Sequence, residues 1–319
     1  MMDGRERTVS VSSGGGGGGG GGVASSSSSS AYGSQKKIVY FVRHAEALHN
    51  VKEREAVQAA IDSGETSKER QDEARRSVLR NDPTLKDAPL SADGTAQAKH
   101  SSKRLEALFG ARDGRHGRSG RSRSGSVSSA GPVFRRPDVI LVSPLRRALM
   151  TATECFYHSH GDGGDGDNDD DGDQTAPPPL FVAIEALREK RTGLECDERS
   201  DVRLLREEFP HVDFSDVERG LPAVPVGEDN VAVRARAASY LEERLPLVEC
   251  RHVAVVTHKG WLREMRKNLK GRVDAGTLRA DFDLNEWDTS LYGNAEVRVA
   301  AFRFEPSFND DGGDDDGGI

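Results

Sequence analysis

Cysteine is scarce in this chain. There are three among 319 residues (Cys155, Cys196 and Cys250), and none forms a C-x-x-C pair. An odd number so spaced excludes a disulfide scaffold and a structural zinc ribbon. It points to a reducing compartment, with the cytoplasm as the expected one. Long hydrophobic runs are missing too: none approaches the roughly 18 apolar residues that open a membrane-span reading, which excludes an integral membrane protein. The first 35 residues lack the apolar stretch of a secretory signal. Their Ser-rich, acid-poor composition is that of an organelle transit peptide, but the nine consecutive glycines at 14–22 and the presence of only two arginines argue against one. Charge of one sign is also lacking where it matters. The net charge is −8, yet 12 of the 53 acidic residues are aspartates of an Asp/Gly tract and an acidic tail. Setting these aside, together with a tract at 111–136 that holds seven Arg and one Asp, leaves 40 acidic against 38 basic residues. So even a balance excludes both a nucleic-acid footprint and an acidic solvating protein.

Four segments cannot bury enough apolar surface to offset their ordering entropy: the Gly/Ser leader 1–35, the Arg/Ser/Gly tract 111–136, the Asp/Gly tract 159–179 and the acidic tail 305–319. The remaining 222 residues suffice for one domain with a full core, expected over 36–304 with the two internal tracts as loop insertions. Within it, 37–42 (KIVYFV), 139–142 (VILV), 180–184 (LFVAI) and 253–257 (VAVVT) are short apolar, β-branched runs. Runs of this kind are buried on both faces of a parallel sheet. Amphipathic helices are expected around 92–109, 145–157, 231–245 and 261–269, with Ser91 as an N-cap. The alternating segment 295–304 is expected as an edge strand. Strands alternating with helices predict an α/β fold, a three-layer α/β/α sandwich.

Three of the buried runs end alike. KIVYFV leads into Arg43-His44, VILV into Ser143-Pro144 with Arg146 and Arg147 beyond, and VAVVT into His258-Lys259-Gly260. In an open α/β sheet, ligands bind outside the carboxyl ends of the strands, so two histidines and several arginines converge on one crevice. Guanidinium matches phosphate oxygens, and a neutral imidazole is a competent nucleophile for phosphorus. Arginine charge nearby disfavours imidazolium and keeps His44 unprotonated. Any one of these residues alone reads as structural; their convergence is what carries the chemistry.

Other motifs fail. Asp167-x-Asp169-x-Asp171-Gly172 opens like a calcium loop, but its twelfth position is Pro178 rather than Glu and no helices flank it. The glycine run precedes no Gly-Lys-Ser/Thr and is not a phosphate-binding P-loop. His158 and His160 read as bystanders on a loop. The Arg/Ser run at 118–124 reads as a solvated charge run.

Arg43-His44-Ala45-Glu46 through His49-Asn50 resembles the RHG(E/Q)xxxN signature of the histidine phosphatase superfamily, the phosphoglycerate-mutase-like enzymes. Leu90-Ser91-Ala92-Asp93-Gly94-Thr95-Ala96-Gln97-Ala98 resembles its L-T-x-x-G-x-x-Q-A segment, and Ser143 through Ala152 matches S-P-L-x-R-A-x-x-T-A. Val256-Thr257-His258-Lys259-Gly260-Trp261-Leu262-Arg263 resembles V-T-H-S-G-F-L-R. The stretches from Asp82 to Leu90, Leu187 to Arg199 and Asn294 to Arg298 are similar to the fungal and plant branch, rich in predicted phosphatases. Ala45 in place of Gly and Lys259 in place of Ser or Asn depart from the pattern.

The resemblance implies a phosphoglycerate-mutase-like fold with a mostly parallel central sheet, and a phosphatase acting on a small phosphorylated metabolite. It implies His44 as the nucleophile, Glu189 as proton donor and acceptor, and Arg43, Asn50, Arg147 and His258 around the phosphoryl group. Glu185 is the rival acid. No metal and no cofactor are implied, and neither a membrane nor a nucleic acid is an expected partner. A phosphoglycerate mutase is the alternative reading, with a non-catalytic binding module behind it.

Overall fold

Short, nearly continuous apolar segments form the centre of the molecule. The computed structural model describes residues 36–110, 134–157, 178–220, 224–275, 279–280 and 291–303. The leader, the acidic tail and nearly all of the two low-complexity tracts lie outside the described residues. In chain order the elements are β1 (Lys36–Arg43), α1 (Leu48–Asp62), α2 (Lys68–Asn81), α3 (Ala92–Gly110), β2 (Val139–Val142), α4 (Arg146–Ala152), β3 (Leu180–Ala183) and α5 (Val202–Glu208). Then follow β4 (Val212–Asp213), α6 (Ser215–Glu218), α7 (Asn230–Ser239), β5 (His252–Thr257), α8 (Lys259–Asp274), β6 (Arg279–Ala280) and β7 (Val297–Arg303).

Among the described residues the strands make one sheet in the order β4-β3-β2-β5-β1-β7-β6. The run from β4 to β1 is parallel, and β7 lies antiparallel to both β1 and β6. The expected edge strand is therefore one place in from the edge, because the two-residue β6 pairs with its outer side.

Side chains alternate across each strand. Ile38, Tyr40, Val42, Ile140, Val142, Ala254 and Val256 pack with Ala98 and Leu105 of α3 and Ala148 and Leu149 of α4. Val39, Phe41, Val139, Leu141, Val253 and Val255 pack on the other face with Val233 and Ala237 of α7 and Trp261, Leu262 and Met265 of α8. With both faces covered, the sheet is the middle of three layers, and each fully buried Val or Phe contributes about 1.5–3 kcal/mol. A charge at Val255, which is wholly buried at the centre of β5, would break that layer. Among the described residues no helix is long and apolar enough to cross a membrane.

The segment between Asn50 and Leu90 gave no apolar period in the sequence. It is a pair of helices, α1 and α2, packed on each other. Both are charged, and each has a single fully buried side chain, His49 on α1 and Leu79 on α2. Helix-forming Ala, Glu, Lys, Arg and Gln hold them with short-range ion pairs such as Lys52–Glu55.

Candidate active site

Register brings the chemistry together. Arg43 at the end of β1 lies opposite Thr257 at the end of β5, and Val142 of β2 opposite Val256. The ladder runs one residue further, with His44 N–H donating to Thr257 O (2.9 Å) and Ser143 N–H to Val256 O (2.9 Å). Because β5 lies between β1 and β2, His258 sits between His44 and Ser143. The two imidazole centroids are 5.0 Å apart, and His258 Nε2 is 2.7 Å from Ser143 Oγ.

His44 is 3% exposed, and its Nδ1 is 2.7 Å from Ala45 O. A carbonyl only accepts, so Nδ1 carries the hydrogen and Nε2 keeps its lone pair. Nε2 has no hydrogen-bond partner among the described residues. Burial, then Arg147 and Arg43, hold the imidazole well below its ordinary value of 6.5, so the ring is neutral at pH 7.

The surrounding motifs fix that ring. Ala45 N–H donates to Thr151 Oγ1 (3.0 Å), which in turn donates to Arg147 O (2.7 Å), tying the end of β1 to α4. Glu46 N–H donates to Gln97 Oε1 at 3.0 Å, and Ser91 Oγ donates to Glu46 Oε1 at 2.9 Å. Ser91 Oγ also caps α3 by accepting from Gly94 N–H at 2.9 Å, as the sequence predicts. A Cβ on Gly94 would lie 1.9 Å from Glu46 O, so only glycine lets α3 approach this loop.

Arg147 is 1% exposed, donating from Nη1 to Cys196 O (2.6 Å) and lying 3.5 Å from the Asp197 carboxylate. Behind it, fully buried Asp87 accepts from Arg146 N–H (2.8 Å) and Ser200 N–H (2.9 Å). The 82–90 and 187–199 motifs thus meet as one support for Arg147. Arg43 donates from Nη1 to Tyr292 O (2.8 Å) and lies within the fields of Glu189 and Arg147.

The rival carboxylates occupy different places. Glu189 Oε2 accepts from Gly260 N–H (3.1 Å) at the start of α8, two residues beyond His258, and Oε1 accepts from Lys190 N–H (3.0 Å). A Cβ on Gly260 would lie 2.3 Å from Glu189 Oε1, so a side chain there would displace that carboxylate. Glu185 is buried, paired with Arg188 at 2.7 Å and Arg199 at 3.4 Å. With those two arginines it lines a cavity of about 480 Å³ whose wall includes none of Arg43, His44, Arg147 or His258. Lys259 is exposed.

Asn50 is close by but its amide is engaged. Oδ1 accepts from Ala47 N–H (3.1 Å), Nδ2 is 3.0 Å from His49 Nε2, and the side chain also bonds Glu53. His49, given no role from sequence, is a third imidazole here, 6% exposed with its ring centroid 6.4 Å from that of His44. Its only sequence signal was membership of the first motif. Buried nitrogens of four residues around His44 have no hydrogen-bond partner among the described residues: Arg43 Nε, His49 Nδ1, Arg147 Nε and His258 Nδ1. Two of these, the Nε–H groups of Arg43 and Arg147, are buried donors, which rarely stay unpaired; beside a neutral imidazole they suit a tetrahedral oxyanion.

No family model matches the chain, and no curated protein matches it. Among solved structures it is similar to phosphoserine phosphatase from Entamoeba histolytica, at 14% identity and a TM-score of 0.39, over 85% of this chain and 98% of that one. It is similar also to a mycobacterial glucosyl-3-phosphoglycerate phosphatase, at 18% identity and a TM-score of 0.38, over 84% of this chain and 91% of that one.

Proposed function

We propose that this chain is a phosphatase that hydrolyses a small phosphate monoester through a phosphohistidine on His44. The observation that carries the reading is the neutral imidazole of His44, its Nε2 without a partner among the described residues, beside unpaired guanidinium donors of Arg43 and Arg147 and the buried ring of His258. Nε2 attacks phosphorus in line with the ester oxygen, the P–N bond forms and the P–O bond breaks. Glu189, in its acid form, gives its proton to the departing alcohol. The resulting carboxylate then takes a proton from water as the water oxygen attacks phosphorus. The P–N bond breaks, inorganic phosphate leaves, and His44 and Glu189 are restored. The two arginines act by charge, matching the oxygens as negative charge spreads over them in the transition state.

Depth of the nucleophile supports a small ester. His44 and His258 are 3% and 0% exposed, so only a phosphoryl group on a slender or compact alcohol reaches them. A bisphosphate-primed mutase would use the same core residues, and no observation at this site favours it.

His44→Ala should abolish hydrolysis of an aryl phosphate while leaving the far-UV circular dichroism unchanged. Wild-type protein quenched during turnover should carry acid-labile, alkali-stable phosphate, and a chelator should not lower its rate. Full activity in H44A, or isomerisation of 2- and 3-phosphoglycerate outpacing hydrolysis, would overturn the reading.

A further inference from the structure

The first turn of α1 brings the His49 ring to 6.4 Å from that of His44, and hydrogen-bond bookkeeping fixes which of its nitrogens can donate. Ala47 N–H must find an acceptor in Asn50, so the Asn50 oxygen faces Ala47 and its NH2 faces His49. An amide NH2 only donates, which makes His49 Nε2 the acceptor and puts the ring hydrogen on Nδ1. That Nδ1–H is buried, and no described residue accepts from it. Asn50 meanwhile has Ala47, His49 and Glu53 as partners. The sequence motif assigns the phosphate contact at this corner to Asn50, yet the donor left over is on its neighbour.

Resting on the phosphatase reading, we propose that His49 Nδ1–H donates to a phosphoryl oxygen of the substrate, and that Asn50 is a positioning residue that acts through His49 by fixing its tautomer. The ring centroid is 6.4 Å from that of His44, and the ring lies in the field of both Arg147 and Arg43, the groups that would hold the phosphoryl oxygens. A neutral donor complements the two guanidiniums there: it adds a directed hydrogen bond without a third charge in a buried site.

The test compares His49→Leu, His49→Asn and His49→Gln. An Asn amide places its nitrogen near the position of Nδ1, whereas a Gln amide reaches only that of Nε2. With p-nitrophenyl phosphate, H49L should lose ~10²-fold in kcat/KM, the usual effect of removing one oxyanion donor. Inhibition by orthovanadate, which mimics the five-coordinate transition state, should weaken by a similar factor, more than inhibition by inorganic phosphate. H49N should recover at least about a tenth of wild-type activity, and H49Q should resemble H49L. Asn50→Ala should lower kcat/KM in the wild-type background and have no further effect in H49L.

Wild-type kinetics and vanadate affinity in H49L would overturn the inference. So would equal loss in H49N and H49Q that tracks a fall in melting temperature, the mark of a merely structural ring. Should H49L not fold, the H49N against H49Q contrast decides alone. If H44A is inactive while the His49 variants keep full rate, this inference fails and the phosphatase reading stands. A wild-type chain that neither hydrolyses aryl phosphate nor binds vanadate removes both.

Discussion

Glu185 and Glu189 carry the same carboxyl group four residues apart, and their surroundings separate them. Glu185 is neutralised by Arg188 and Arg199 in a buried cluster, whereas Glu189 caps the helix that follows His258 and sits in the field of Arg43. Removing the true acid should cripple alkyl esters, whose leaving oxygen needs a proton, by ~10²–10⁴-fold. Aryl esters, with a stable oxyanion, should lose far less in the first step. Glu189→Gln should therefore release a burst of aryl product followed by slow turnover, and hydrolyse an alkyl phosphate barely at all. The same dependence in Glu185→Gln, with Glu189→Gln behaving as wild type, would reverse the assignment. The convergence of Arg43, His44 and His258 at strand ends, with Arg147 on the helix that follows β2, was legible in the sequence because a parallel sheet lines up its carboxyl ends. His49 was not: its part depends on which way an amide turns, and that is set by a backbone N–H three residues from Asn50.

At the scale of elements, glycine decides how closely helices approach the site. Gly260 lies in the first turn of α8, where alanine would ordinarily stabilise a helix by about 0.5–1 kcal/mol. Here a methyl group would stand 2.3 Å from Glu189 Oε1 and push the carboxylate off the Gly260 N–H. Gly260→Ala should thus lower alkyl-ester turnover on the order of 10²-fold, the penalty for a misplacement near 1 Å, while its melting temperature holds or rises. Loss of activity and stability together would mean that the helix, not the carboxylate, was disturbed. The buried strands and the helices α3, α7 and α8 were readable because apolar period reports burial. The α1–α2 pair was not, since each helix has a single buried side chain and its remaining residues are half-buried or exposed, many of them charged. Nor did the alternating pattern of β7 reveal β6, whose two residues are too few to show a period.

Across the whole molecule, the site stores an electrostatic cost that should surface as pH-dependent stability. His44, His49 and His258 are all held well below their ordinary 6.5, in each case first by burial and then by Arg147. Below pH 6.5 the unfolded chain takes up protons at these three positions while the folded chain refuses them. Stability is therefore complete above pH 6.5 and falls as the pH drops toward the depressed folded values. Each histidine can contribute a slope of up to about 1.4 kcal/mol per pH unit between 6.5 and its depressed folded value, not negligible beside the roughly 5–15 kcal/mol typical of a domain. Urea titrations from pH 7.5 to 5 should show the free energy of unfolding flat at first, then falling steeply below about 6.5. Replacing one of the three, as in His49→Asn, should reduce the slope by about a third, because an amide does not titrate. Orthovanadate at a hundredfold over its dissociation constant should restore about 2.7 kcal/mol at any pH where it still binds the folded state. A free energy unchanged between pH 7 and pH 5.5 would mean that the histidines can take up protons in the folded protein, and with them the claim of a neutral nucleophile at the carboxyl end of β1 would fall.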